Sequence, residues 1–281
     1  MIISFYNNKG GVLKTTSAIN IASLLAMDNK KVIVLDLDAQ ANIANVFLTY
    51  KQKREIKHTL LDFLKEEVSL KEIVDVNINK NIKSKIPNKN LFLLYGDSQL
   101  AEYDTYIDNN IIPKNKLKDL ILKLNEDFDY VIIDNSPSKS TLANETMNIA
   151  ELIVVPFEPS NFSIEGILNI ISKIDNNFRN KNVIMIPTRF NGSSIHKKNV
   201  ISIENSILNR KINNTNNNIL VSKSKISFNK YNDMILELQK LPLVLSNKYE
   251  KNIEKYKQEY IELKNEITSL NEVKQLNKGE Q

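Results

Sequence analysis

The segment Asn8-Lys9-Gly10-Gly11-Val12-Leu13-Lys14-Thr15-Thr16 constrains this chain more than any other. It follows a short apolar run, Ile2 to Tyr6, and opens an amphipathic stretch, Thr15 to Met27. Adjacent glycines let the backbone turn tightly, so that successive N–H groups face inward and form a concave anion site at a helix amino terminus. Polyphosphate fits such a nest. Lys14 would lie along the β- and γ-phosphates, Thr15 would offer its hydroxyl to Mg2+, and Thr16 would contact the α-phosphate region. Two glycines alone would favour an empty turn, but strand, glycine pair, Lys-Thr-Thr and helix in that order point to a phosphate site. The strict pattern has glycine just before the second lysine. Leu13 stands there instead, and its β-carbon bears on affinity and turnover.

The rest of the chain alternates strand and helix. Strands are expected at Ile2 to Tyr6, Lys31 to Leu35, Leu91 to Tyr95, Tyr130 to Asp134, Leu152 to Pro156 and Val183 to Pro187. Several are continuously apolar, as parallel strands covered on both faces must be. Helical segments include Lys114 to Asn125, Ser163 to Asp175 and Ser194 to Leu208. This pattern predicts an α/β fold, a doubly wound and mostly parallel sheet of the P-loop type, with ligands at the carboxyl ends of the strands. Asn79 to Asn90 and Asn213 to Asn218 read as polar surface excursions. From Tyr249, apolar residues recur at Ile253, Tyr256, Tyr260, Leu263, Ile267 and Leu270, alternately four and three apart. That is a helical stripe, read first as a last helix docked on the domain and second as a helix pairing with another chain. The expected division is an ATPase domain over 1–245, a docked amphipathic helix over 246–272, and a frayed tail over 273–281.

Composition removes several functions. With no cysteine among 281 residues, the chain builds neither disulfide nor thiolate-bound zinc or iron–sulfur cluster. Met1 to Tyr6 lacks the basic start and length of a signal peptide, and no run nears the roughly 18 apolar residues of a membrane span, so a soluble, cytoplasmic protein is expected. Formal net charge is +5, a mild excess that permits contact with polyanions.

Two further motifs follow in order. The second strand ends in Asp36-Leu37-Asp38-Ala39-Gln40, where carboxylates two residues apart leave on one side. Tyr130-Val131-Ile132-Ile133-Asp134 is an apolar strand ending in a single aspartate, the Walker B arrangement in which Asp134 would hold Mg2+ through water.

Lys9-Gly10-Gly11 followed by Lys14-Thr15 resembles the deviant Walker A motif of the ParA/MinD superfamily, within it the short ParA/Soj-like partition ATPases. The likeness spans about residues 1 to 270. It implies that Lys9 reaches across an ATP-dependent homodimer to phosphates bound by the partner subunit. It also implies that Asp36 lies near the Mg2+ shell, making Thr15, Asp36 and Asp134 the metal set, and that Asp38 positions the attacking water. Ala39 and Ser136 stand where the family commonly has proline. A weak intrinsic ATPase, stimulated by a ParB-like partner, is the implied activity.

Features outside the phosphate site separate the branches of that superfamily. Cluster carriers need cysteines. MinD-like proteins end in a basic amphipathic helix with bulky apolar residues, whereas Thr268 to Gln281 is mixed in charge and lacks Phe or Trp, so no membrane partner is expected. With its first strand at Ile2, the chain looks like the short form that reads no operator. The resemblance then implies non-specific DNA binding through basic residues on the outer face of the dimer. Lys197, Lys198, Arg210, Lys211, Lys223, Lys225 and Lys230 are the candidates. The expectation is an ATP-switched dimer, nucleoid-associated when ATP-bound, that segregates a chromosome or plasmid. An ATPase positioning a protein assembly, or an ATP-dependent metabolic enzyme of this fold, are the alternatives.

Overall fold

Apolar runs become parallel strands here because helices cover both faces of each one. The strands are β1 (Ile2–Phe5), β2 (Val32–Leu37), β3 (Leu91–Leu94), β4 (Tyr130–Asn135), β5 (Leu152–Phe157), β6 (Asn182–Pro187) and β7 (Asn218–Val221). They form one seven-stranded sheet in the order β3-β2-β4-β1-β5-β6-β7, and every neighbouring pair is parallel. The coordinates are a computed structural model that describes residues 1–48, 50–74, 90–94, 96–138, 140–209, 217–237, 241–246 and 253–278. Tyr95, Arg210, Lys211, Tyr249, most of both polar excursions and the last residues of the tail lie outside them.

Helices of eight residues or more among the described residues are α1 (Lys14–Met27), α2 (Lys116–Asp127), α3 (Thr141–Ile149), α4 (Ile164–Asn177), α5 (Ser194–Leu208), α6 (Lys230–Glu237) and α7 (Ile253–Lys278). Period-two alternation along the strands divides them between two layers. Ile33, Val131 and Ile153 face a core shared with α2, α3, α4 and α5. Val34, Ile132 and Val154 face the other, shared with α1, α6 and α7.

Helix α1 lies between the sheet and α7, which explains why all of its residues but Met27 are buried. Its Asn20 is satisfied inside: the Nδ2 donates to Thr16 O at 2.8 Å, and the Oδ1 accepts from Val244 N at 3.1 Å. Tyr260, Leu263 and Ile267, the middle of the four-and-three stripe, are fully buried in the layer that holds α1. Lys264 adds an ion pair to Asp28 at the end of α1, 2.5 Å long.

Strand β7 is the element that periodicity did not find. It has four residues, Asn218-Ile219-Leu220-Val221, at an edge of the sheet and is only partly buried. Its pairing with β6, Val183 opposite Ile219, makes it a strand. Four residues carry too little pattern to announce one.

Candidate nucleotide site

The glycine turn leaves the central strand β1 and ends at Leu13, the residue that caps α1. Gly11 has φ 73°, a conformation glycine takes without strain. Leu13 also lies in the left-handed region, with φ 60° and ψ 30°, which costs a β-carbon-bearing residue about 1–2 kcal/mol. Its side chain is buried against the α1 layer, at 7% exposure, and that burial contributes about 2 kcal/mol. The two terms offset each other, so the turn keeps the shape a glycine would give it. Thr188 at the end of β6 donates its hydroxyl to Val12 O at 3.0 Å and pins the turn from the other side.

The carboxylates come from strands flanking this turn. Asp36 and Asp134 are register partners on β2 and β4, and Asp134 is in turn opposite Phe5. Both are fully buried. Thr15 Oγ1 donates to Asp134 Oδ2 at 2.6 Å, and Lys14 Nζ lies 3.9 Å from Asp134 Oδ1. That Oδ1 has no hydrogen-bond partner among the described residues. Burial raises the pKa of Asp134, opposed by the Lys14 ammonium and the Thr15 hydroxyl. Asp36 is raised well above the usual carboxylate range by burial first and by Asp134 second, although Ile43 N and Asp38 N donate to it. Two neighbouring buried carboxylates held above their usual range, one with an oxygen that accepts no hydrogen bond among the described residues, fit a divalent cation. Mg2+ bound there would relieve the repulsion and share its shell with phosphate oxygens.

Asp38 stands apart from this pair, at the pocket wall. Its Oδ1 accepts from Gln40 N at 3.0 Å and its carbonyl from Ala41 N at 2.8 Å, closing the turn where proline is absent. Lys9, Gly10, Gly11, Val12, Leu13, Lys14, Thr15, Thr16 and Asp38 line one cavity of about 330 Å³. The structure thus brings the whole turn together with Asp38, and sets Asp36 and Asp134 behind it.

Arg189, Asn232 and Asp233 line the same cavity and were not anticipated. Arg189 Nη2 and Asp233 Oδ1 form a 2.6 Å ion pair, while both amide atoms of buried Asn232 lack partners among the described residues. These residues follow β6 and β7, whose ends are joined by the Phe190–Ser227 bridge. A charged residue just past a parallel strand, Arg189 after Pro187-Thr188, is the signal that could have found this wall.

Gly96 was also missed. A β-carbon there would lie 2.2 Å from the Asp36 carbonyl oxygen and 2.4 Å from Leu100 Cδ1. Gly96→Ala is therefore expected to cost about 2 kcal/mol by displacing the end of β2, lowering the melting temperature by about 5 °C. Thermal melts followed by circular dichroism check this; an unchanged midpoint would mean the loop yields freely.

Of the basic candidates, Lys223 and Lys225 share the loop after β7, Lys230 opens α6, and Lys197 and Lys198 are exposed on the first turns of α5. Phe190 joins these groups: Lys225 Nζ lies 5.0 Å over its ring, and the His196 ring is 5.8 Å away. Among the described residues no helix is long and apolar enough to cross a membrane.

A parallel sheet in this order, with a lysine-bearing glycine turn after its central strand, defines the class: the chain is a P-loop ATPase. Residues 1–186 match the model of the family described as AAA domain. A ParA family protein of Mycoplasma pneumoniae is 30% identical over 282 residues, covering 96% of this chain and 98% of its own. The chain belongs to the ParA family. Among solved structures, an ATP complex of McdA from Cyanothece superposes with a TM-score of 0.71 at 20% identity, over 95% of this chain and 96% of that one. A putative plasmid partition protein of Borrelia burgdorferi bound to AMPPNP gives 0.65 at 23%, over 93% and 96%. At such identities these two establish the fold.

Proposed function

We propose that the chain is a Mg2+-dependent ATPase whose ATP-bound homodimer binds DNA without regard to sequence. With a ParB-like partner that stimulates hydrolysis, it segregates a chromosome or plasmid, in the cytoplasm and on the nucleoid. Lys14 and the backbone of the glycine turn would hold the phosphates, and Thr15 with Asp36 and Asp134 would hold the metal, while Arg189, Asn232 and Asp233 line another part of the same cavity.

The observation that supports the switch most is Lys9. Its side chain is exposed at the rim of the cavity, and its Nζ has the Ser163 hydroxyl at 3.3 Å but no carboxylate partner among the described residues. Lys14 already supplies a cation inside the subunit, and an exposed second lysine at the rim supports a role toward phosphates held by another copy. Lys9→Ala should leave monomeric ATP binding in place and weaken ATP-dependent dimerisation about tenfold or more, as expected for a lost charge-assisted contact. Light scattering after gel filtration with ATP is the measurement. Equal dimerisation of both proteins removes the intersubunit role.

DNA binding is supported by the basic edge around Phe190. One such edge offers few phosphate contacts, whereas a two-fold dimer presents two to one duplex. Lys223→Glu with Lys225→Glu should lower affinity for a labelled random duplex about tenfold or more, because four charges reverse in the dimer, while ATP affinity holds. Binding that ignores ATP and survives the double reversal would turn the assignment toward an ATPase positioning a protein assembly.

A further inference from the structure

We infer that Glu259 and Glu266 of α7 are positioning residues for the basic loop, holding residues 222–227 in the shape that grips a polyanionic duplex; this rests on the DNA-binding proposal above. The loop leaves β7 extended and keeps its alternation. Ser222, Ser224 and Ile226 are buried, Lys223 is exposed and Lys225 partly so. Ser222 N and Ile226 N donate to Met185 O and Pro187 O of β6, at 2.8 and 2.9 Å. No described strand follows β7 in the sheet order, so Lys223 N, Ser224 N and Ser227 N need partners from elsewhere.

Helix α7 supplies them. Glu266 accepts from Ser222 Oγ at 2.6 Å, Lys223 N at 3.0 Å and Ser224 N at 3.3 Å. Glu259 accepts from Ser227 N at 2.8 Å and Ser227 Oγ at 2.6 Å. Seven residues apart, the two carboxylates fall on one face of the helix, about two turns from each other. Tyr260, Leu263 and Ile267 anchor an adjacent face beside α1. The loop is therefore clamped at both ends to a helix that is itself fixed to the domain. Lysines on such a loop lose less freedom when they meet phosphates than lysines on a free one.

Electrostatics and geometry make opposite predictions here, which allows a decision. Two carboxylates beside Lys223 and Lys225 lower the local positive potential, so if they acted only as charges, removing them should tighten DNA binding. If they position the loop, removing them should weaken it despite the gain in positive charge.

The experiment is fluorescence anisotropy of a labelled random-sequence duplex with the full chain, ATP and Mg2+, comparing wild type with Glu259→Ala/Glu266→Ala. Affinity about tenfold weaker, with unchanged ATP affinity, is the expected result. Equal or tighter binding by the variant overturns the inference alone. A wild-type chain that ignores DNA overturns the DNA-binding proposal, and this inference with it. Should the double variant fail to fold, Ser222→Ala/Ser227→Ala removes two loop donors while leaving α7 and the net charge as they are. It should bind DNA about threefold more weakly; unchanged affinity overturns the inference equally.

Discussion

Lys14→Ala is expected to lower ATP affinity at least about a hundredfold, since a cation meeting phosphate oxygens makes the strongest class of hydrogen bond. Two losses combine. The cavity loses the buried ammonium expected to meet the phosphates, and Asp134 loses the lysine 3.9 Å away that opposes the rise of its pKa. A more readily protonated Asp134 is a poorer partner for Mg2+, so the metal-dependent part of the affinity should fall as well. Calorimetric titration with Mg-ATP measures both, run at two magnesium concentrations. Wild-type affinity in the variant would remove the phosphate-site assignment altogether.

Asp38→Ala is expected to keep ATP binding while slowing hydrolysis about a hundredfold or more, the usual scale for losing a group that orients and accepts from the attacking water. Of the two carboxylates that line the cavity among the described residues, Asp233 is engaged by Arg189 at 2.6 Å. Asp36 and Asp134 lie fully buried behind the turn. Asp38 is the one left facing the cavity, and a variant without it should accumulate as an ATP-bound dimer. Its carboxylate also caps Gln40 N, so part of any defect could come from the turn, worth about 1 kcal/mol. Asp38→Asn retains that acceptor. If Asn restores stability but not turnover, the defect is chemical; unaltered turnover in both variants would rule out the role.

Parts of the site were legible in the sequence because they are contiguous. A glycine turn between a strand and a helix places its lysine, its two threonines and its backbone donors through local geometry alone. The aspartates Asp36 and Asp134 were readable as strand ends for the same reason. Leu13 read as a departure, and only its burial explains how a residue with a β-carbon holds a left-handed turn.

What the sequence carried by itself was a glycine turn between strand and helix, two lysines, and three carboxylates at or just past strand ends, in an order that a parallel α/β sheet brings to one end. The tertiary structure decided what depends on strand order and on residues distant in the chain. Asp36 meets Asp134 because β2 lies beside β4. Arg189 reaches Asp233 across 44 positions because β7 adds to the edge of β6 and bridges Phe190 to Ser227. The four-and-three stripe does not name its partner, and the structure buries its Tyr260, Leu263 and Ile267 beside α1. The physical reason is the same in each case. Local motifs are fixed by backbone conformation over a few residues, whereas pairing between distant segments is fixed by which apolar surfaces remain to be covered once the sheet has formed.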